Sequence, residues 1–124
     1  MLSLWPEEIA AVEASMTNLS KLSRALEELR TLDPELGTHT ALVFITVAQA
    51  MPDGITQHEL GIKLGMTTST TQRNVKYLTK HRGVDEAGHD LIEVTTPREN
   101  GKMRLLRITP KGKRIAAKLA KMLD

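Results

Sequence analysis

The sequence has no cysteine. That removes disulfides, thiolate catalysis and cysteine-based zinc sites together. Aromatic side chains are nearly as scarce: Trp5, Phe44 and Tyr77 are the whole complement, at 2% of residues. A core must then be built from Leu, Ile, Val, Ala and Met, and binding of single-stranded nucleic acid by base stacking lacks its aromatic platforms. No apolar run approaches the roughly 20 residues of a membrane-spanning helix. Glu7 and Glu8 come too early for a signal peptide. A cytoplasmic protein with no membrane partner is expected. There is no glycine loop of the phosphate-cradling kind, and no Ser, His and Asp set with a local nucleophile signature, so neither an enzyme activity nor a cofactor is expected.

What is present is a chain of 124 residues, a length suited to a single domain, 1–124, with one core. Its net charge is +2, but residues 1–60 carry three bases (Lys21, Arg24, Arg30) against nine acids, and residues 61–124 carry fourteen bases against six acids. Part of that asymmetry can be spent on acidic and basic helices pairing within the fold. The rest describes a basic face suited to phosphate.

Residues 56–82 organise the chain as two helices joined by a tight turn. Thr56 and Glu59 form a capping box that starts the first. Leu60 and Leu64 recur at helical spacing, and Gly61 leaves room for a second helix to cross closely. Gly65 falls where a C-terminal cap needs positive φ. Met66 follows as a buried plug, and Thr67 or Thr68 caps the next helix. That helix turns Thr71, Val75 and Leu78 to one side and Ser69, Thr70, Gln72, Arg73 and Lys76 to the other. A polar and basic face without acids is what a helix needs to lie in a DNA major groove.

Upstream, Pro6 with Glu7 and Glu8 opens a helix over residues 5–32. Thr17, Asn18 and Ser20 could divide it, but one long helix is the simplest reading. Trp5, Ile9, Val12, Met16, Leu19, Leu26 and Leu29 recur in threes and fours, with Leu22 beside them. Core packing explains part of such a stripe. Its length exceeds what so small a domain must cover, which favours a partner helix. Pro34 marks a turn over residues 32–37. Residues 38–51 are apolar nearly all round and predict a central buried helix, ended by Pro52-Asp53-Gly54, with Ile55 as a short strand.

After a polar loop at residues 84–90, residues 91–109 predict a β-hairpin. A two-residue Asn100-Gly101 turn would place Val94 opposite Arg107 and waste the apolar face. A loop of Glu99, Asn100 and a left-handed Gly101 pairs Ile92 with Ile108, Val94 with Leu106 and Glu93 with Arg107. Its tip carries Arg98, Lys102 and Arg104, a basic wing able to straddle a phosphate backbone; a charged tip that only aids solubility is the plain alternative. Thr109-Pro110 opens a last helix, 110–124, with an apolar stripe of Ile115, Leu119 and Met122 or Leu123. Its lysines suit packing beside the acidic first helix.

The expected class is therefore mainly α with a small β-hairpin, a winged helix-turn-helix of order α-α-α-α-β-β-α. The stretches LGIKLGMTTSTTQRNV (Leu60–Val75) and RLLRITPKGK (Arg104–Lys113) resemble the MarR family of bacterial regulators, in which the second is the returning wing strand and the entry to the next helix. The resemblance implies a dimeric, double-stranded-DNA-binding transcription regulator, often a repressor. Residues 68–81 would be its recognition helix, with Thr68 joining the contacts, and the wing would lie in an adjacent minor groove. Where that family's wing carries an Asp and then an Arg, this chain has Asn100 and Lys102, and Thr71 takes a position that is usually apolar. The chain ends before most of the final helix that the family uses to dimerise and to enclose a ligand. A homodimer is therefore expected to lean on Ile9, Val12, Met16, Leu19, Ile115, Leu119 and Met122, and a small-molecule effector is not expected.

Two other readings stay open: a winged-helix module that binds a protein partner, as an antirepressor or inhibitor, and a DNA-binding component of replication, partition or packaging. Of the four histidines (His39, His58, His81 and His89), His81 and His89 lie near Asp85 and Asp90, but without a dependable metal-ligand spacing. No metal is expected.

Overall fold

The computed structural model describes residues 5–83 and 86–124, Arg82 by its backbone alone. Its elements are helices α1 (Pro6–Leu32), α2 (Thr38–Gln49), α3 (Gln57–Leu64), α4 (Thr68–Leu78) and α5 (Pro110–Leu123), with strands β1 (Ile55–Thr56), β2 (His81–Gly83), β3 (Glu86–Ala87), β4 (Ile92–Thr95) and β5 (Leu105–Ile108). The winged helix-turn-helix order is as expected, with one small hairpin, β2–β3, added where a plain loop was predicted.

α1 runs unbroken through Thr17, Asn18 and Ser20. The hydroxyls of Ser15, Thr17 and Ser20 donate to the carbonyls of Ala11, Glu13 and Met16, four residues back, so none competes for the helix's own N–H groups. Only Ala25 and Leu29 of α1 are buried. At its C-terminus Asp33 accepts the Glu35 N–H on Oδ1, which holds the turn at Pro34.

α2 forms the middle of the core through Val43, Phe44 and Val47, packed with Leu60, Val75, Leu78, Leu91, Ile92 and Leu106. It is not buried all round, however. Leu42 and Ile45 face outward, because α4, β5, α3 and α5 all gather on the opposite side.

β4 and β5 pair in the predicted register, Ile92 with Ile108, Glu93 with Arg107 and Val94 with Leu106. β1 adds to the other edge of β5, with Ile55 opposite Leu106. The wing loop is longer than predicted. Pairing stops at Thr95 opposite Leu105, just before Pro97, which has no N–H to offer a ladder. Two turns then close the loop, from Asn100 N–H to the Pro97 carbonyl and from Met103 N–H to the Asn100 carbonyl. Gly101 is consequently not left-handed. The register survives because it is set by the apolar alternation rather than by the turn.

α5 lies along the C-terminal half of α1. Lys118 Nζ is 2.7 Å from Glu28 Oε1, and Lys21 Nζ donates to the Asp124 carbonyl at 2.9 Å. The expected pairing of a basic last helix with an acidic first one is present, at the surface, where such pairs contribute little each.

Candidate nucleic-acid interface

The turn between α3 and α4 is built from its caps. Thr56 Oγ1 accepts the Glu59 N–H at 3.1 Å. The Glu59 carboxylate answers by accepting a hydrogen bond from the Thr56 hydroxyl at 2.9 Å rather than from the backbone N–H of a full capping box. Gly65 closes α3 at φ 64° and ψ 32°, its N–H on the Ile62 carbonyl and the Met66 N–H on that of Gly61. Met66 is half-buried, not fully so. A Cβ on Gly65 would meet nothing within 4 Å, so Gly65→Val tests conformation rather than space. The left-handed backbone should cost valine about 2 kcal/mol, read as a lower Tm, with Gly65→Asn much milder. An unchanged Tm for Gly65→Val would contradict this turn.

Thr67 caps α4 by accepting the Thr70 N–H at 3.1 Å. Thr71, Val75 and Leu78 face the core. Thr71 fits there because its hydroxyl donates to the Thr67 carbonyl at 2.8 Å. Its Oγ1 also lies only 3.0 Å from where a Cβ on Gly61 would be, so a larger apolar side chain would push α3 and α4 apart. Asn74 ties α4 to α2 by accepting the Thr40 hydroxyl at 2.7 Å.

The opposite face carries Thr68, Ser69, Arg73 and Lys76, all exposed, with Gln72 half-buried between them. Thr70 is half-buried, and its hydroxyl is engaged by Thr67 at 3.0 Å, so it serves the cap. No acid occurs between Thr67 and Gly83. The helix stops at Leu78, short of the expected His81. The Thr79 hydroxyl turns back to the Lys76 carbonyl, and Leu91 and Asp90 N–H groups take the Leu78 and Thr79 carbonyls. His81 thus lies in β2, opposite Ala87.

The wing stands on the same side. Gln57 N–H donates to the Arg104 carbonyl at 2.9 Å, joining the base of the wing to the start of α3. Between them opens a cleft of about 670 Å³ whose walls include Gln57, Ile62, Met66, Thr68, Lys102 and Arg104. Arg98, Lys102 and Arg104 are exposed. Asn100 Oδ1 accepts the Lys102 N–H at 3.1 Å, so Asn100 shapes the loop. The sequence reading missed Gln57 and His58. Their place in the first turn after the Thr56 cap was the available signal, since side chains there flank the cleft.

The remaining predicted residues divide. Ile9, Val12, Met16 and Leu19 are exposed along one side of α1. On α5, Leu119 is buried within the subunit, and Ile115 and Met122 are half-buried. Of the four-member His and Asp grouping, His81 is in β2, His89 pairs with Asp33, and Asp85 lies outside the described residues. Among the described residues no three of His, Asp and Glu lie close enough to hold a metal ion, and no helix is long and apolar enough to cross a membrane.

No protein-family model matches the chain, and no curated protein does. Solved structures do. A mutant of Staphylococcus aureus MepR bound to an oligodeoxyribonucleotide superposes with a TM-score of 0.72 at 16% identity, over 93% of this chain and 76% of that one. MepR described as a transcription regulator of the S. aureus multidrug efflux pump MepA gives 0.64 at 13% identity, over 98% and 78%. A mutant of E. coli MarR gives 0.62 at 18% identity, over 98% and 79%. Over most of its length the chain therefore has the MarR-type winged-helix fold.

Proposed function

We propose that this chain is a sequence-specific double-stranded-DNA-binding transcription regulator, a homodimer that represses by occupying its promoter. The observation that carries this reading is the outward face of α4, acid-free and basic, standing beside a basic wing across one cleft. A helix so furnished can enter a major groove while the wing reaches the neighbouring phosphates or minor groove. The MepR structure with bound oligodeoxyribonucleotide supports it by fold. The exposed stripe of α1 (Trp5, Ile9, Val12, Met16 and Leu19) recurs every three and four residues, the spacing of a helix seam, and supports the dimer.

The test separates two kinds of cation. Arg73 can hydrogen-bond guanine N7 and O6 together, so Arg73→Ala should lower the ratio of specific to nonspecific affinity roughly tenfold. Lys102 faces phosphate, so Lys102→Ala should weaken all duplexes alike and reduce the salt slope by about one unit. Both are read by titrating sequence-selected and scrambled duplexes across a salt series. If the wild type shows neither sequence preference nor salt dependence, the DNA reading fails and a protein partner on the same face replaces it.

A further inference from the structure

His89 belongs neither to the cleft nor to the apolar core, yet three helices meet at it. Its Nε2 lies 3.3 Å from Asp33 Oδ2 at the C-cap of α1. Its ring is 4.9 Å from that of Tyr77 in the last turns of α4. Its carbonyl accepts Lys111 Nζ of α5 at 2.9 Å. Next to it, the Leu91 N–H holds the Leu78 carbonyl at the end of α4 at 2.8 Å. The imidazole and the Asp33 carboxylate are only 22% and 19% exposed, so their bond is partly shielded from water and stiffer than a surface pair.

The mechanical setting gives that bond leverage. Residues 6–20 of α1 are exposed, and the helix is anchored to its subunit through Ala25, Leu29 and the half-buried Leu32, two surface ties to the α5 end of the chain, and the bond from Asp33 to His89. From Asp33 back to Val12 is about 30 Å of helix. A tilt of about 6° at the anchored end moves the far end by about 3 Å, close to one base-pair step of the duplex.

We propose that His89 is a positioning residue: by clamping the end of α1 onto the last turn of α4, it fixes the distance between the two recognition helices of the dimer, and so the half-site spacing the protein accepts. This rests on the dimeric DNA-binding reading above. Two variants probe it. His89→Phe keeps a ring against Tyr77 and removes the bond to Asp33; His89→Gln keeps a donor for Asp33 and removes the ring. The probes are a palindromic duplex selected by the wild type from a random library, the same duplex with one base pair inserted between half-sites, and a single half-site.

The wild type should lose roughly tenfold in affinity on the insertion, since the second half-site is then engaged only at a strained spacing. His89→Phe should lose no more than about threefold, with half-site affinity unchanged, and His89→Gln should recover most of the discrimination. Wild-type discrimination by both variants overturns the proposal. So does an equal fall in half-site and full-site affinity, which would mean that His89 only supports the reading helix. Failure of the wild type to select any duplex has a separate signature and removes the DNA reading itself. Should His89→Phe not fold, Asp33→Ser, whose hydroxyl can still accept the Glu35 N–H but is too short to reach His89, repeats the test from the other side.

Discussion

Gly112→Ala should destabilise the protein by about 3 kcal/mol, which at this size lowers Tm by roughly 10–15 °C. Gly112 lies in the first turn of α5, and its N–H donates to the Thr109 Oγ1 cap at 3.0 Å. A methyl group there would run into the Leu91 carbonyl oxygen and come within 2.5 Å of Ile108 Cγ1. Neither can yield cheaply. The Leu91 carbonyl is held by the Thr109 N–H at 3.0 Å, and Ile108 is a buried strand residue paired with Ile92. Relief requires α5 to lift from the sheet, which disturbs Leu119 in the core and the contact with α1. Gly101→Ala is the matched control: a Cβ there meets nothing within 4 Å, and its effect should stay within about 0.5 kcal/mol. Thermal melting of the two variants decides the matter, and equal melting would contradict the close approach.

The glycine illustrates how legible the chain was. The stretch ending in Thr109-Pro110-Lys111-Gly112 could be recognised by resemblance, but the reason for its glycine is a contact with Leu91, 21 positions earlier in sequence. Local signals read well. Thr56, Gly65 and Thr67 act on their immediate neighbours and sit as predicted. The wing register also read well, because one residue of slippage would turn Ile92, Leu106 and Ile108 to solvent.

What failed depended on distant partners. The segment from Lys76 to His81 holds no helix breaker, and α4 ends at Leu78 because residues 88–91 capture its last carbonyls. α2 looked apolar all round, and only the tertiary arrangement decides that Leu42 and Ile45 face out. His89 drew notice as one of four histidines. Its partner Asp33, 56 residues away, was read as part of a turn. For the candidate interface, the polar outward face of α4 was legible from spacing, whereas Gln57 and His58 needed the wing folded beside α3 before they came into view.

Met16→Glu should split the proposed dimer and lower affinity for a palindromic site by about 100-fold or more, while leaving half-site binding intact. Along α1, Trp5, Ile9, Val12, Met16 and Leu19 are 71%, 43%, 47%, 52% and 54% exposed, a contiguous apolar stripe that an isolated subunit leaves in water. Met16 stands near its middle. A twofold seam would take in both copies of a substituted carboxylate, each stripped of water and without a cation beside it. The nearest basic side chain of α1, Lys21, is already turned to the Asp124 carbonyl. The subunit itself should be spared, because Met16 packs against nothing in the core. The same substitution at Leu119, only 7% exposed, would instead unfold α5 from the subunit and report nothing about association. Light scattering at micromolar concentration and titrations of full and half sites make the two measurements. Loss of the dimer with full-site affinity falling to that of a half-site is the expected pair; an undiminished dimer would move the seam off this face of α1.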